Sequence, residues 1–183
     1  MTAALVGRAP TALAVLRRGG VVLVVDDLRG TGSDLVTLAS AASGRTVAGM
    51  IRHGSGLLCT TVDAARCDRL ELPPVNWRDP GGNWYAGAMR VSVDATAGIT
   101  TGISAHDRAA TARVLADPDA TPDALRRPGH VIPVLAEPGD ANRPALLAEL
   151  AARCGRPGAA VLFCAAEAEP AALPVLRLGD IPR

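Results

Sequence analysis

Short apolar segments alternate with polar and glycine-rich segments along the chain, and their spacing predicts a mixture of strands and helices. The first clear element is Val21–Val25, where five consecutive apolar residues indicate a strand buried on both faces. Further strands are predicted within His53–Thr61, Met89–Asp94, Arg126–Val134, Ala159–Cys164 and Pro174–Leu178. Helices are predicted at Pro10–Arg18, Leu35–Ser43, Val62–Leu72, Ala105–Leu115 and Arg143–Cys154, while Thr46–Arg52 fits either a short helix or a turn. This mixture predicts one layered α/β or α+β domain over residues 1–183.

Two acidic residues, Asp26 and Asp27, directly follow the first strand and precede a glycine-containing loop. A buried strand that delivers acidic residues to a flexible loop is a common way of placing charge at a functional site. The same residues also fit a purely structural role, in which they cap the strand and form an Asx turn before Arg29. Both interpretations remain open at this point.

The segment Pro73–Gly87 is rich in proline and glycine and is predicted to be a loop. It contains Trp77, Trp84 and Tyr85, which are three of the four aromatic residues of the chain. Loops of this length are often functional. Alternatively, the two tryptophans fold back and cover the base of the loop.

Composition excludes several classes of function. The net charge is +1 and there is no basic block, so we expect no nucleic-acid partner. No apolar run approaches the roughly 20 residues that cross a bilayer, and no basic region precedes the first apolar segment, so we expect neither a membrane partner nor a signal peptide, but a cytoplasmic protein. All basic residues are arginine, which excludes Schiff-base chemistry on lysine. The four cysteines lack zinc-site spacing and are predicted to be free thiols in a reducing compartment.

Four stretches together resemble the 3,4-dihydroxy-2-butanone 4-phosphate synthases of riboflavin biosynthesis. They are VVDDLRGTGSD (Val24–Asp34), IRHGSGLLC (Ile51–Cys59), GITTGISAHDR (Gly98–Arg108) and RPGHVIPV (Arg127–Val134). The resemblance implies an α+β sandwich, a homodimer with active sites at or near the subunit interface, and a magnesium-dependent conversion of ribulose 5-phosphate to formate and dihydroxybutanone phosphate.

The chain departs from that family where the family holds its metal. The family holds its metal with a glutamate of an acidic DRENEGD loop and a histidine of an HTEA motif, and a further glutamate after a late strand contributes to catalysis. Here the loop is RGTGSD without glutamate, Asn142 or Arg143 stands near the place of the histidine, and Phe163 or Cys164 stands at the late glutamate. Magnesium prefers hard oxygen ligands. We therefore predict a divergent member with no bound metal and no cofactor.

The retained positions still predict a site for a small-molecule substrate. In the family, the matching residues surround the substrate, and here they offer an acid/base pair of Asp26 or Asp27 with His130, assisted by the Cys59 thiol. Substrate contacts are predicted for the polar residues Arg29, His53, Thr100, Thr101 and Arg143 and for the aromatic residues Trp77, Trp84 and Tyr85. The structural alternative makes Arg127 and Asp107 an ion pair and Cys59 a small buried apolar residue.

Loss of charged metal ligands combined with a loop rich in aromatic residues favours an apolar or ring-containing ligand. The leading hypothesis is a metal-independent enzyme of specialised metabolism, of lyase, isomerase or cyclase type, that cyclises, rearranges or dehydrates such a molecule. One alternative is a non-catalytic homologue that binds a ligand or acts as a dimer partner. The other is a true synthase that uses substitute ligands such as Asp34 and Asn142.

Overall fold

The chain is built around a mixed sheet that the apolar segments form by pairing with one another. The computed structural model describes residues 8–30, 32–75, 88–155, 160–167 and 172–181. Within them, seven strands pair in the order β4-β5-β3-β6-β2-β1-β7. The strands are β1 (Val22–Val25), β2 (Ser33–Leu38), β3 (Cys59–Val62), β4 (Val93–Ala95), β5 (Leu125–Leu135), β6 (Val161–Ala165) and β7 (Val175–Arg177). The predicted α+β fold is confirmed.

In the described part of the chain, five helices pack on the sheet, and local polar side chains fix where four of them begin. They are α1 (Arg8–Arg17), α2 (Gly44–His53), α3 (Ala64–Arg69), α4 (Ala105–Ala116) and α5 (Arg143–Arg153). The side chains of Ser43, Asp63, Ser104 and Asn142 each accept a hydrogen bond from the backbone N–H three residues later. Each cap satisfies a donor that a helix start would otherwise leave without a partner.

The core consists of two layers, one on each face of the sheet. Leu162 and Phe163 are neighbours on β6, yet they belong to different apolar clusters because successive side chains of a strand point to opposite faces. The cluster around Leu162 includes residues of α2, α3 and α4, and the cluster around Phe163 includes residues of α1 and α5. Among the described residues, no helix is long and apolar enough to cross a bilayer.

The predicted helix Leu35–Ser43 is wrong. Its first half belongs to β2, which pairs with β1 on one side and β6 on the other, and only Ala39–Ala41 form a short 3-10 turn. β2 is buried on both faces, so its residues are apolar without the alternation that distinguishes a strand from a buried helix. The ambiguous segment Thr46–Arg52 lies within α2.

Two other elements are shorter than predicted. The predicted strand Met89–Asp94 is regular only from Val93, and Met89 instead makes an isolated bridge to Val134. The predicted helix Val62–Leu72 is helical only over Ala64–Arg69. The remaining elements begin and end within a few residues of their predicted bounds.

Candidate active site

One edge of the sheet carries most of the polar residues that the sequence singles out. Cys59 of β3 pairs with Phe163 of β6 and with Ile132 of β5. Asp34 on β2 and His130 on β5 lie on the same side of this row of paired residues. Each is two residues along its strand from the row. β3 and β6 separate β2 from β5, so three strand spacings put the backbones of Asp34 and His130 about 14 Å apart.

A buried arginine joins two aspartates at the β1–β2 end of this edge. Arg143, the first residue of α5, donates from Nη2 to Asp26 Oδ2 at 3.0 Å and from Nη1 to Asp34 Oδ2 at 3.1 Å. The three side chains are only 7%, 1% and 2% exposed, respectively. This geometry uses two arms of the planar guanidinium, which suits arginine and not lysine.

The two carboxylates of this cluster have different surroundings. Asp26 Oδ1 also accepts hydrogen bonds from the backbone N–H groups of Leu28 and Arg29, at 3.2 and 3.0 Å, which is the Asx turn that the structural interpretation predicts. Asp34 Oδ1 is buried and has no hydrogen-bond partner among the described residues. Burial raises the pKa of Asp34 to about 6, the Arg143 charge opposes this rise, and the Asp26 charge adds to it. One guanidinium therefore faces two acids, and Asp34 is the acid with a carboxylate oxygen that has no partner among the described residues.

A second polar centre forms between β4 and β5. His130 Nδ1 lies 2.8 Å from Asp94 Oδ2, and the His130 backbone N–H donates to Asp94 Oδ1 at 2.9 Å. The His130 side chain is 39% exposed while that of Asp94 is 10% exposed. Because a carboxylate accepts a hydrogen bond from Nδ1–H, this contact leaves Nε2 of the neutral ring as the basic nitrogen. Asp94 was not among the predicted site residues, although it ends the alternating segment that predicts the strand before it.

The loop from Gly98 onwards packs onto this pair and is held by Asp107. Asp107 Oδ2 accepts from Thr100 Oγ1 at 2.9 Å and from the Gly102 backbone N–H at 3.0 Å. A methyl group at Gly102 would collide with the Asp94 carboxylate, and the φ of Gly102 is +86°. The loop therefore needs glycine at this position to approach the Asp94–His130 pair.

The suggested ion pair between Arg127 and Asp107 is wrong. Arg127 donates instead to the backbone carbonyls of Leu70 and Leu125. Asp107 is occupied by its own loop, as described above, so both residues stabilise local structure without contacting each other.

Asp26 and Asp27, the acids predicted to act with His130, make other contacts. Asp26 pairs with Arg143 on the far side of β2 from His130, and Asp27 is exposed, with its Oδ1 accepting from the Gly179 N–H at 2.9 Å. His130 instead contacts Asp94. Local sequence patterns do not predict this contact, because the two residues are far apart along the chain.

The predicted thiol assistance from Cys59 meets an unfavourable environment. The side chain is buried, and burial, followed by the nearby Asp34 and Cys164, raises the pKa of Cys59 to about 12. A thiol of this kind stays protonated near neutral pH and is not a reactive thiolate.

The predicted substrate contacts divide into three groups. Exposed residues at or near the sheet edge are Arg29, His53, Thr100 and Thr101. Arg143 is buried and contacts Asp26 and Asp34. The aromatic residues Trp77, Trp84 and Tyr85 lie outside the described residues.

Comparison with known proteins identifies the family to which the chain is similar. The family model described as 3,4-dihydroxy-2-butanone 4-phosphate synthase matches residues 10–173. The 3,4-dihydroxy-2-butanone 4-phosphate synthase of Chromobacterium violaceum is 43% identical over 133 residues, which are 72% of this chain and 62% of that protein. The riboflavin biosynthesis protein RibBA of Nocardia farcinica is 48% identical over 135 residues, 72% of this chain. The chain spans only about a third of the length of such RibBA relatives, 32% in this case.

Solved structures agree with this assignment. A crystal structure of 3,4-dihydroxy-2-butanone 4-phosphate synthase in complex with two magnesium ions superposes with a TM-score of 0.81 at 32% identity, covering 93% of both chains. A cation-free form of such a synthase gives a TM-score of 0.79 at 31% identity, also with 93% coverage of both chains.

The residues of this chain do not fit a magnesium ion between Asp26 and Asp34. Magnesium requires a near-octahedral set of oxygen ligands. Here the two carboxylates converge on the cationic guanidinium of Arg143. The described residues also contain no group of three or more His, Cys, Asp or Glu side chains suited to hold a metal.

These relatives correct the leading functional hypothesis. An enzyme of specialised metabolism that cyclises, rearranges or dehydrates an apolar molecule is wrong, because relatives at 43–48% identity are synthases and RibBA proteins of riboflavin biosynthesis. With the family model matched from residue 10 to residue 173 and the same fold in solved synthases, the chain belongs to the 3,4-dihydroxy-2-butanone 4-phosphate synthase family.

Proposed function

We propose that the chain acts on ribulose 5-phosphate and releases formate and 3,4-dihydroxy-2-butanone 4-phosphate for riboflavin biosynthesis. The observation that carries this proposal is the Asp94–His130 pair, which lies at the sheet edge beside the family-type loop Gly98–Arg108. Identity of 43% to a named synthase supports the same reaction. Family resemblance supports a cytoplasmic homodimer in which residues 1–183 form one domain, and size-exclusion chromatography with light scattering measures the dimer.

The first chemical requirement is removal of a proton from a carbon beside the ketone of the sugar. His130 suits this role because Asp94 holds its Nδ1 side and directs Nε2 away from the carboxylate. The same nitrogen can return the proton to an oxygen or carbon in a later step. Thr101 is exposed in the adjacent loop and is proposed to donate a hydrogen bond to a substrate oxygen. The exposed Thr100, whose hydroxyl donates to Asp107, is proposed to accept a hydrogen bond from a substrate hydroxyl.

Formate release from ribulose 5-phosphate by the purified full chain tests this proposal, together with rescue of a riboflavin auxotroph that lacks the synthase. His130→Gln removes the proposed base and keeps a polar side chain. His106→Gln is the matched control, because His106 is an exposed histidine on α4. We expect loss of formate release for the first variant and retention for the second. Absence of formate and of rescue under conditions where the Chromobacterium violaceum synthase is active would refute the proposal.

A ligand-binding homologue without turnover is the second candidate. The Asp26–Arg143–Asp34 cluster favours it, because Arg143 places a guanidinium between the two acids, whereas the solved synthase relative is a complex with two magnesium ions. Calorimetric binding of ribulose 5-phosphate without formate release is the result that this candidate predicts.

A further inference from the structure

We infer that the Arg143 guanidinium is the resident cation between Asp26 and Asp34 and that it keeps divalent cations out of this position. The inference concerns cation binding by the protein alone, and it holds whether or not ribulose 5-phosphate is turned over.

One guanidinium uses Nη2 for Asp26 and Nη1 for Asp34, at 3.0 and 3.1 Å, so the facing oxygens of both acids already have a charged donor. The acids come from the end of β1 and the start of β2, whose antiparallel pairing sets their separation. The positive charge between them belongs to Arg143, the first residue of α5, which is distant in sequence from both acids.

Electrostatic repulsion also opposes a divalent ion between Asp26 and Asp34. The three side chains are at least nine-tenths buried, so a divalent ion at this position would lie beside a fixed positive charge with little solvent to screen the repulsion. Displacing Arg143 instead would leave a buried arginine without its carboxylates, which is strongly unfavourable.

The carboxylate oxygens that do not face Arg143 differ in whether they could bind a cation after its removal. Asp26 Oδ1 accepts two backbone N–H groups and is thereby occupied. Asp34 Oδ1 is buried with no hydrogen-bond partner among the described residues, so it is the acceptor that a cation would use once Arg143 is removed. Loss of the guanidinium therefore turns a closed ion-pair cluster into a pair of acids that attracts a cation.

Manganese binding to the full chain, followed by electron paramagnetic resonance of the free ion, tests this inference without any substrate. The variants are Arg143→Gln, the same change combined with Asp34→Asn, Asp34→Asn alone, and the control Arg153→Gln. Arg153 lies on the same helix, paired with Glu149 at 3.1 Å and 34% exposed.

We expect wild type, Arg153→Gln and Asp34→Asn to bind manganese with the same weak affinity. Arg143→Gln should bind manganese at least about tenfold more tightly, since ligand charge sets the affinity for hard cations. Adding Asp34→Asn to this variant should remove the gain in affinity. Tighter binding by wild type than by Asp34→Asn would overturn the inference, and this comparison decides the matter even if Arg143→Gln does not fold. A folded Arg143→Gln variant without the Asp34-dependent gain would also overturn it. Formate release has no part in these outcomes, so they are distinguishable from failure of the proposed reaction.

Discussion

Replacing Asp34 with asparagine removes a buried carboxylate and keeps its shape. Burial raises the pKa of Asp34 from 3.8 to about 6 in the folded chain, whereas the unfolded chain has the ordinary value. The folded protein therefore binds more protons than the unfolded protein between these two values. The stability that this proton uptake contributes is fully present below pH 3.8 and is lost as the pH rises through 6. Its full size is about 3 kcal/mol, and between pH 7.5 and pH 5 it amounts to about 1.4 kcal/mol.

Urea denaturation of wild type and Asp34→Asn at pH 7.5, 6 and 5 measures this contribution. Other titrating groups act on both proteins alike, so the informative quantity is the change with pH of the difference in their free energies of unfolding. We expect wild type to gain about 1.4 kcal/mol relative to Asp34→Asn on acidification to pH 5. Asp119→Asn, which removes an exposed carboxylate, should follow the wild type. Parallel curves for wild type and Asp34→Asn would refute the reasoning. A relative loss of wild-type stability at pH 5 would show that Arg143 lowers the pKa of Asp34 instead.

Three further predictions follow from single contacts in the structure. His130→Gln should lower kcat for formate release by about 100-fold. Asp94→Asn should lower kcat with little change in KM, because Asp94 only positions the ring. Equal kcat in wild type and both variants would contradict this. Burial raises the pKa values of Cys59 and Cys164 to about 12. Both thiols should therefore react with a disulfide reagent at pH 8 about 1000-fold more slowly than an ordinary thiol, until urea exposes them. Rapid labelling of either cysteine in the native state would contradict this. Gly102→Ala should lower the free energy of unfolding by about 1–3 kcal/mol and more than Gly98→Ala, which has a similar φ of +70° but open space around its Cβ; equal losses would remove the argument for close packing on Asp94.

Local sequence patterns were sufficient wherever neighbouring residues determine the structure. Ser104 begins α4 because its side chain accepts the Asp107 N–H at 3.0 Å, three residues away, as its sequence spacing predicts. Asp26 forms an Asx turn with the residues that directly follow it. Likewise, the five apolar residues in a row predict β1, since a continuous apolar run of this length is typical of a strand buried on both faces.

Contacts between distant segments were beyond the same patterns. Asp94 meets His130 only because β4 pairs with β5, including a register shift between Val93 and Asp94 that no local rule specifies. Arg143 meets Asp26 across 117 positions of the chain. The sequence marked both histidine and arginine as candidates but could not identify their partners, because partner choice depends on sheet order and on where α5 docks.

The two polar centres depend on different features of the same fold. Strand register builds the Asp94–His130 pair, whereas a single side chain at the start of α5 supplies the charge between Asp26 and Asp34. Exchange of one side chain at such a position changes the charge of a site while leaving strand pairing intact. A TM-score of 0.81 to a magnesium-bound synthase therefore does not identify the cation that lies between Asp26 and Asp34 in this chain. Similarity of fold locates the substrate site better than it identifies the charge that acts there. Formate release tests the proposed substrate site, and manganese binding tests which cation lies between Asp26 and Asp34. The two measurements are therefore independent of each other.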